Sequence, residues 1–292
     1  MTVIDPDKLH TARLPRLGVL HVAGADARAF LQGQLSADLD ELTQNQAVLA
    51  SCNSAQGRVQ GVMWLAARND GVALVLPTTL MERLTARLRK YVLRAKATVD
   101  ADRLEVGVAA FQPFEGLTSE RAHAQAGDES FLRLPGHTQL LALAPPGRFR
   151  VADEGADLAW RREAIAAGLP NVYPETYETF VAQMLNLDLL SGISFAKGCY
   201  TGQEIIARTH YRGAIKRRMF RFHAACEPPA PGSRILAGEQ HAGDVVDSAP
   251  VDDGCELLAV VSLAHIHERL RAAGSHAELT RRPLPYEVPE AV

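Results

Sequence analysis

Apolar positions along this chain change period several times, and each change marks an element. Branched and small apolar residues run together at Val19–Val22, Val48–Cys52, Val59–Leu65, Val72–Leu76 and Leu104–Ala109. These runs are too short for helices and predict strands. Asn53–Gly57 is the expected turn between the second and third, and Pro77 closes the fourth. Gly24-Ala25-Asp26 predicts a helix start, with Asp26 as cap and Phe30, Leu31 and Leu35 on one face. Thr79–Leu93 spaces Leu80, Leu84, Leu88 and Val92 at helical intervals, with basic residues opposite, and predicts an amphipathic helix. Residues 112–130 are polar and irregular. Phe131–Leu134 and Gln139–Leu143 predict a hairpin about Pro135-Gly136. Leu158–Ala167 predicts a helix that stops at Gly168-Leu169-Pro170.

From Arg217 onward the helical patterns cease. Short apolar runs remain at Met219–His223, Arg234–Leu236, Gly243–Val246 and Leu257–Ser262, punctuated by Pro228, Pro229, Pro231 and Gly232. Regular short strands with such turns predict a small β-barrel. The stretch beyond Gly274 is rich in proline and charge and predicts a surface arm.

Composition narrows the function classes. The 292 residues fit two or three compact units, and 47% hydrophobic residues supply their cores. With 31 basic and 34 acidic residues the net charge is −3, which speaks against a general nucleic-acid or membrane binder. No apolar stretch approaches the ~20 residues that cross a bilayer, and the start lacks the basic and apolar regions of a signal peptide. Cys52, Cys199, Cys226 and Cys255 are widely spaced with no C-x-x-C. They fit a reduced, cytoplasmic location rather than a disulfide framework, and give no zinc or iron–sulfur box. His265 and His267 have only Glu268 nearby at ligand spacing, so no metal site is expected.

The densest chemistry lies in Lys197–Gly213, K-G-C-Y-T-G-Q-E-I-I-A-R-T-H-Y-R-G. Cys199 stands between Gly198 and Gly202. Thr201 and Glu204 have the spacing of a capping box, which predicts a helix start just after the thiol. The partial positive charge of that terminus and the ammonium of Lys197 are expected to lower the thiol pKa below about 8.5. The plain alternative is a small buried hydrophobe, the reading adopted for the other three cysteines. Arg208, Arg212, Lys216, Arg217, Arg218 and Arg221, with His210 between, form a cationic run without an acid. Such a run suits bidentate binding of carboxylates or the phosphates of RNA, or is simply a solvated face. Glu204 and Arg208 are also spaced to pair along the helix.

The segment Lys197-Gly198-Cys199-Tyr200-Thr201-Gly202-Gln203-Glu204 resembles the signature of the YgfZ family, folate-binding proteins linked to iron–sulfur cluster maintenance and similar in fold to the glycine-cleavage aminomethyltransferase. Phe30-Leu31-Gln32-Gly33-Gln34 with Asp38, Asn186-Leu187-Asp188, and Gly192-Ile193-Ser194-Phe195 resemble further elements of that family. The resemblance implies an essential role for Cys199. It implies that Trp160, eight residues before Gly168, lines a folate site, where an indole suits stacking on a pterin. The family's second folate-lining Trp corresponds to Leu17 here, which removes one stacking surface. Arg208 and Arg212 become candidates for the folate polyglutamate tail. Gln60 and Gly61 stand where the aminomethyltransferases carry acidic residues, and Ala164 where they carry an arginine. Without that carboxylate the aminomethyltransferase reaction lacks its proton-handling group, so a conventional enzyme is not expected. Asn53, Gln34 and Gln203 are motif residues that could equally cap turns.

The fold expected is α+β: an aminomethyltransferase-like region of mixed sheets and helices over 1–215, formed of two interleaved subdomains, and a β-barrel with a C-terminal arm over 216–292. The three units are expected to surround a central folate cleft. The expected function is that of a tetrahydrofolate-binding accessory protein (or one binding a one-carbon derivative) for iron–sulfur enzymes, including tRNA-modifying ones. The alternatives are a folate-dependent one-carbon transferase or demethylase, and a tRNA-binding module using the cationic run. Expected partners are folate, in mono- or polyglutamyl form, and iron–sulfur enzymes, with tRNA the partner of the alternative reading and no membrane.

Overall fold

The computed structural model describes residues 11–110, 117, 119–152 and 154–290. Its strands, numbered along the chain, are β1 (Thr11–Arg13), β2 (Leu17–Ala23), β3 (Val48–Asn53), β4 (Val59–Arg68), β5 (Gly71–Pro77), β6 (Thr98–Ala101), β7 (Glu105–Ala110), β8 (His123–Ala126), β9 (Glu129–Leu132), β10 (Gln139–Ala144), β11 (Arg150–Ala152), β12 (Arg217–Ala224), β13 (Arg234–Ala237), β14 (Gln240–Val251), β15 (Gly254–Ser262), β16 (Leu270–Ala272) and β17 (Thr280–Arg282). The α-helices are α1 (Ala27–Gln32), α2 (Thr78–Val92), α3 (Glu154–Ala166) and α4 (Gln203–Arg212).

The strands form three sheets, ordered β3-β4-β5-β2-β6, β11-β1-β7-β10-β9-β8 and β16-β13-β14-β15-β12-β17. The first is antiparallel throughout. Its strand β4 is buried along nearly its whole length, which explains its continuous rather than alternating apolar run. Leu80, Leu84 and Leu88 are the buried stripe of α2, as their spacing predicts. The second sheet contains the expected hairpin: β9 pairs with β10, Leu141 opposite Leu132. Part of the expected irregular stretch 112–130 instead forms β8 and the start of β9. Its alanine, glutamine and histidine carry little β propensity, and the ladder with β9 organises them. Residues 111–116 and 118 of that stretch lie outside the described residues.

The third sheet is the expected C-terminal barrel in the form of a curled half-barrel; among the described residues its first and last strands do not pair. Alternation along its strands serves two cores. Met219, Val246, Leu258 and Val260 join the core that holds Trp160, whereas Phe220, Phe222, Leu257, Ala259 and Val261 pack in a core of the sheet's own. The sheet is docked by the Asn186-Leu187-Asp188 segment. Asn186 adopts a left-handed backbone, φ 57°, and donates to the Met219 carbonyl at 2.8 Å. Asp188 receives both arms of the Arg218 guanidinium at 2.6 and 2.8 Å, and Arg218 also donates to the Gln183 carbonyl at 2.9 Å.

One local expectation is corrected and another sharpened. Asp26 precedes α1 but makes no side-chain cap; its carboxylate instead accepts from the Lys96 amide at 2.7 Å. The stretch beyond Gly274 keeps mostly exposed side chains, as a surface arm does, and is anchored to the body. β17 pairs with β12, Leu279 is buried, and the Tyr286 hydroxyl donates to the Gly168 carbonyl at 2.9 Å. Gly168 has φ +68°, and a Cβ there would sit 2.5 Å from the Tyr286 oxygen, so glycine alone fits this helix end.

The Arg218–Asp188 pair is buried on both sides. Arg218→Ala should therefore cost about 3–5 kcal/mol, because it leaves an uncompensated carboxylate, whereas the double variant Arg218→Met/Asp188→Leu should recover much of the loss. Urea denaturation of the three proteins checks this; equal stability of the single and double variants refutes it.

Candidate functional site

The Lys197–Glu204 segment and the Phe30–Asp38 segment, about 160 residues apart, form one structure. The Lys197 ammonium donates to the carbonyls of Gln32, Leu35 and Ala37 at 2.7, 2.9 and 2.7 Å. Those three bonds use all its donors. Burial pushes its pKa down to about 8, against the pull of Asp38 and Asp40. Further bonds tie the two segments: Thr201 amide to Gly33 carbonyl at 3.2 Å, and Ser194 amide to Ser36 carbonyl at 2.9 Å. Gln32 spans the turn by donating to Asp38 at 2.8 Å and accepting from the Leu39 amide at 2.8 Å. Tyr200 is buried beneath the Lys197 ammonium, 5.1 Å from ring centre to nitrogen, and burial raises its phenol pKa to about 12.

These contacts give Lys197 a structural role, and the helix start beside the thiol departs from the expected cap. Lys197 holds the fold and has no donor left for Cys199. The Thr201–Glu204 capping box does not form. The N-cap of α4 is Gly202, with φ +83° and no side-chain cap. A Cβ on Gly202 would lie 2.5 Å from the Ser54 carbonyl, so the second motif glycine lets the helix start press against the Asn53–Gly57 turn. Gly198 faces open space. Cys199 itself is exposed, unlike Cys52 and Cys255. The plain reading of it as a buried hydrophobe does not hold.

The cationic run divides. Arg217, Arg218 and Arg221 belong to β12 and pair with Asp244, Asp188 and Glu256 at 3.6, 2.6 and 2.7 Å. Arg208, Arg212 and Lys216 are exposed, and among the described residues no ion pair engages them, including the expected pairing of Glu204 with Arg208.

A separate cavity opens beside α3. Leu17, Met63, Trp64, His137, Asp157, Trp160, Arg161, Ala164 and Tyr173 are among its walls, so the structure brings Trp160 and Leu17 together. It encloses about 710 Å³ to its open mouth, yet only about 60 Å³ admits the centre of a water molecule. This is the shape of a slot, within the ordinary size range of ligand pockets. Trp160 is 8% exposed, and one indole face is covered by His137, stacked at 3.8 Å and 24°. Neither Cys199 nor Arg208 nor Arg212 is a wall of this cavity.

The cavity carries charged groups that the sequence reading did not single out. Asp247 is not itself a wall but holds two that are: Arg161 donates to it at 2.7 Å and the Tyr173 hydroxyl at 2.8 Å, with a third bond from the Ser248 amide at 2.8 Å. Asp157 is tied to Arg16 at 3.0 Å; its side chain is 12% exposed, while that of Arg16 is 66% exposed. Burial raises the Asp157 pKa, with Arg16 opposing. Asp157 lies three residues before Trp160, a helical spacing that could have flagged it. Asp247 could not be read so: a bulge between Val245 and Asp247 shifts the alternation of β14 just before it. Gln60, at the position of the missing aminomethyltransferase carboxylate, donates to Glu178 at 2.6 Å and accepts from Arg87.

No family profile matches the chain. Among curated proteins, the chain is 31% identical over 296 residues to the tRNA-modifying protein YgfZ of Edwardsiella ictaluri (strain 93-146), covering 91% of this chain and 89% of that protein. It is 32% identical over 304 residues to the tRNA-modifying protein YgfZ of Cronobacter sakazakii (strain ATCC BAA-894), covering 92% and 91%. The chain belongs to the YgfZ family. In fold it is similar to the glycine cleavage system aminomethyltransferase T from Bartonella henselae, with a TM-score of 0.66 over 94% of this chain and 85% of that one, at 14% identity. The α+β architecture expected from the motifs is therefore that of an aminomethyltransferase-like YgfZ protein. Among the described residues no helix is long and apolar enough to cross a membrane, and no group of three metal-ligating side chains occurs.

Burial pushes the thiol pKa of Cys52 up to about 11 and that of Cys255 up to about 12. Iodoacetamide near pH 8 should therefore alkylate Cys199 first and leave Cys52 and Cys255 unmodified until the chain unfolds. A time course read by mass spectrometry checks the order; early labelling of Cys52 would refute it.

Proposed function

We propose that this YgfZ protein binds a reduced folate in the Trp160 cavity and acts in the cytoplasm as an accessory factor for iron–sulfur enzymes, tRNA-modifying ones among them. The observation that carries the reading is the narrow slot walled by an indole and holding a carboxylate. The wall residues suit the ligand: the indole of Trp160, a wall of the slot, suits a flat pterin ring. A pterin presents adjacent N–H donors on its aminopyrimidine edge, and Asp157 is the cavity carboxylate whose partner is an exposed arginine. Arg161, held by Asp247 and Tyr173, positions positive charge nearby. Leu17 lends apolar contact where the resemblance places a second Trp. When bound, tetrahydrofolate supplies a carrier of one-carbon units. Asp157 also favours a second reading, folate-dependent one-carbon transfer, because a carboxylate of raised pKa can hold a proton there.

Isothermal titration with tetrahydrofolate tests the reading. Trp160→Phe, which keeps a smaller ring and opens less of a void in the core than Trp160→Ala, should weaken binding measurably but by less than the about 1–3 kcal/mol lost with a whole stacking partner. Asp157→Asn should weaken it by roughly 1.5–3 kcal/mol, the worth of a bond to a charged group. The ionised carboxylate is the better acceptor, so wild-type affinity should fall as pH drops through the raised Asp157 pKa, and the Asn variant should lose that dependence. Full affinity in both variants refutes the assignment of the cavity. Turnover of a one-carbon folate that vanishes in Asp157→Asn would favour the transferase.

The role of Cys199 is tested in a bacterium lacking its own YgfZ. Cys199→Ser should fold normally, because the side chain is exposed, yet fail to restore iron–sulfur enzyme activity. Full complementation by this variant would end the claim that the thiol is the working group.

A further inference from the structure

The outer face of α4 carries features that neither the folate cavity nor the thiol explains. Tyr211 is 67% exposed, a large aromatic left in solvent. Its ring is nevertheless held: it stands edge-on to His210 at 4.7 Å and to Phe195 at 6.2 Å, and Phe195 stacks on His210 at 3.8 Å and 15°. Phe195 reaches this position from the loop that Lys197 pins to the Gln32, Leu35 and Ala37 carbonyls. An exposed ring fixed by its neighbours is preorganised to receive another ring.

Cations flank that ring. Arg208 lies three residues before Tyr211 and four before Arg212, so it neighbours both on the surface of α4. Lys216 follows just past the helix end. These exposed groups pair with no acid among the described residues, in contrast to Arg217, Arg218 and Arg221. Glu204 is the lone acid of α4. The patch is thus positive on a chain of net charge −3.

We propose that this face of α4 is a binding surface for single-stranded RNA, with a base stacked on Tyr211 and phosphates held by Arg208, Arg212 and Lys216. Paired cations and exposed ring match the alternation of phosphate and base along a strand. A duplex hides its base faces, so it would engage the cations alone. An acidic peptide, or the carboxylate tail of a folate, would likewise leave Tyr211 without a role. The inference rests on the RNA side of the proposed function and not on folate binding, so the two are refuted separately.

The test is fluorescence anisotropy of the full-length protein with a labelled single-stranded 12-mer RNA, with the same RNA as a duplex and a polyglutamate peptide as competitors. Three phosphate contacts predict a slope of log K against log salt of about −2, at ~0.7 per phosphate for single strands. Tyr211→Ala should weaken binding roughly tenfold with the slope unchanged, by the range seen for loss of one base-stacking partner. Arg208→Ala/Arg212→Ala should lower the slope magnitude by about 1.4. All three side chains are exposed, so thermal melts should match wild type. No binding at low salt, equal competition by duplex or polyglutamate, or unchanged affinity in Tyr211→Ala would each overturn the proposal.

Discussion

The site depends on one buried ammonium. Lys197 gives its three protons to the Gln32, Leu35 and Ala37 carbonyls of a single segment. An unsatisfied buried carbonyl costs about 1–3 kcal/mol, so the lysine and the segment each make the other tenable. This reciprocity explains why two segments far apart in sequence behave as one motif. It also fixes the loop on which Phe195, Cys199 and the start of α4 ride.

The consequence is a division of labour between two places. The cavity beside α3 is narrow, apolar on its walls and charged at Asp157 and Arg161. The α4 side is open, with an exposed thiol, an exposed ring and unpaired cations. The cationic run, continuous in sequence, is partitioned by secondary structure: its first part faces solvent, and its strand part is paired with Asp244, Asp188 and Glu256.

The legible part of the fold was whatever had a clean period. The stripe of α2 and the apolar runs of β2, β3 and β5 lie within a residue or two of their observed bounds, β4 runs three residues past Leu65, β6 has no apolar run to mark it, and the motif resemblance supplied the architecture. The residues of the site were legible as places and less so as roles. Thr201 and Glu204 have a capping spacing, but the left-handed backbone at Gly202 starts the helix differently. Lys197 looked like a neighbour of Cys199 because its carbonyl partners are some 160 residues away. Asp247 was hidden by a bulge, and the helix of Asp157 begins earlier than its apolar pattern implied. Each miss traces to a contact between segments that the local sequence does not encode.

The Tyr286 contact bears on how the protein is made. A ribosome delivers Tyr286 118 residues after Gly168, yet its hydroxyl closes the end of α3, the helix that carries Trp160. A nascent chain can build the first sheet early, as N-terminal segments generally do, but the helix bearing Trp160 stays unlatched until the Tyr286 segment has been made. Truncated translation products would thus carry the Lys197 loop and α4 while lacking the latch on the cavity wall.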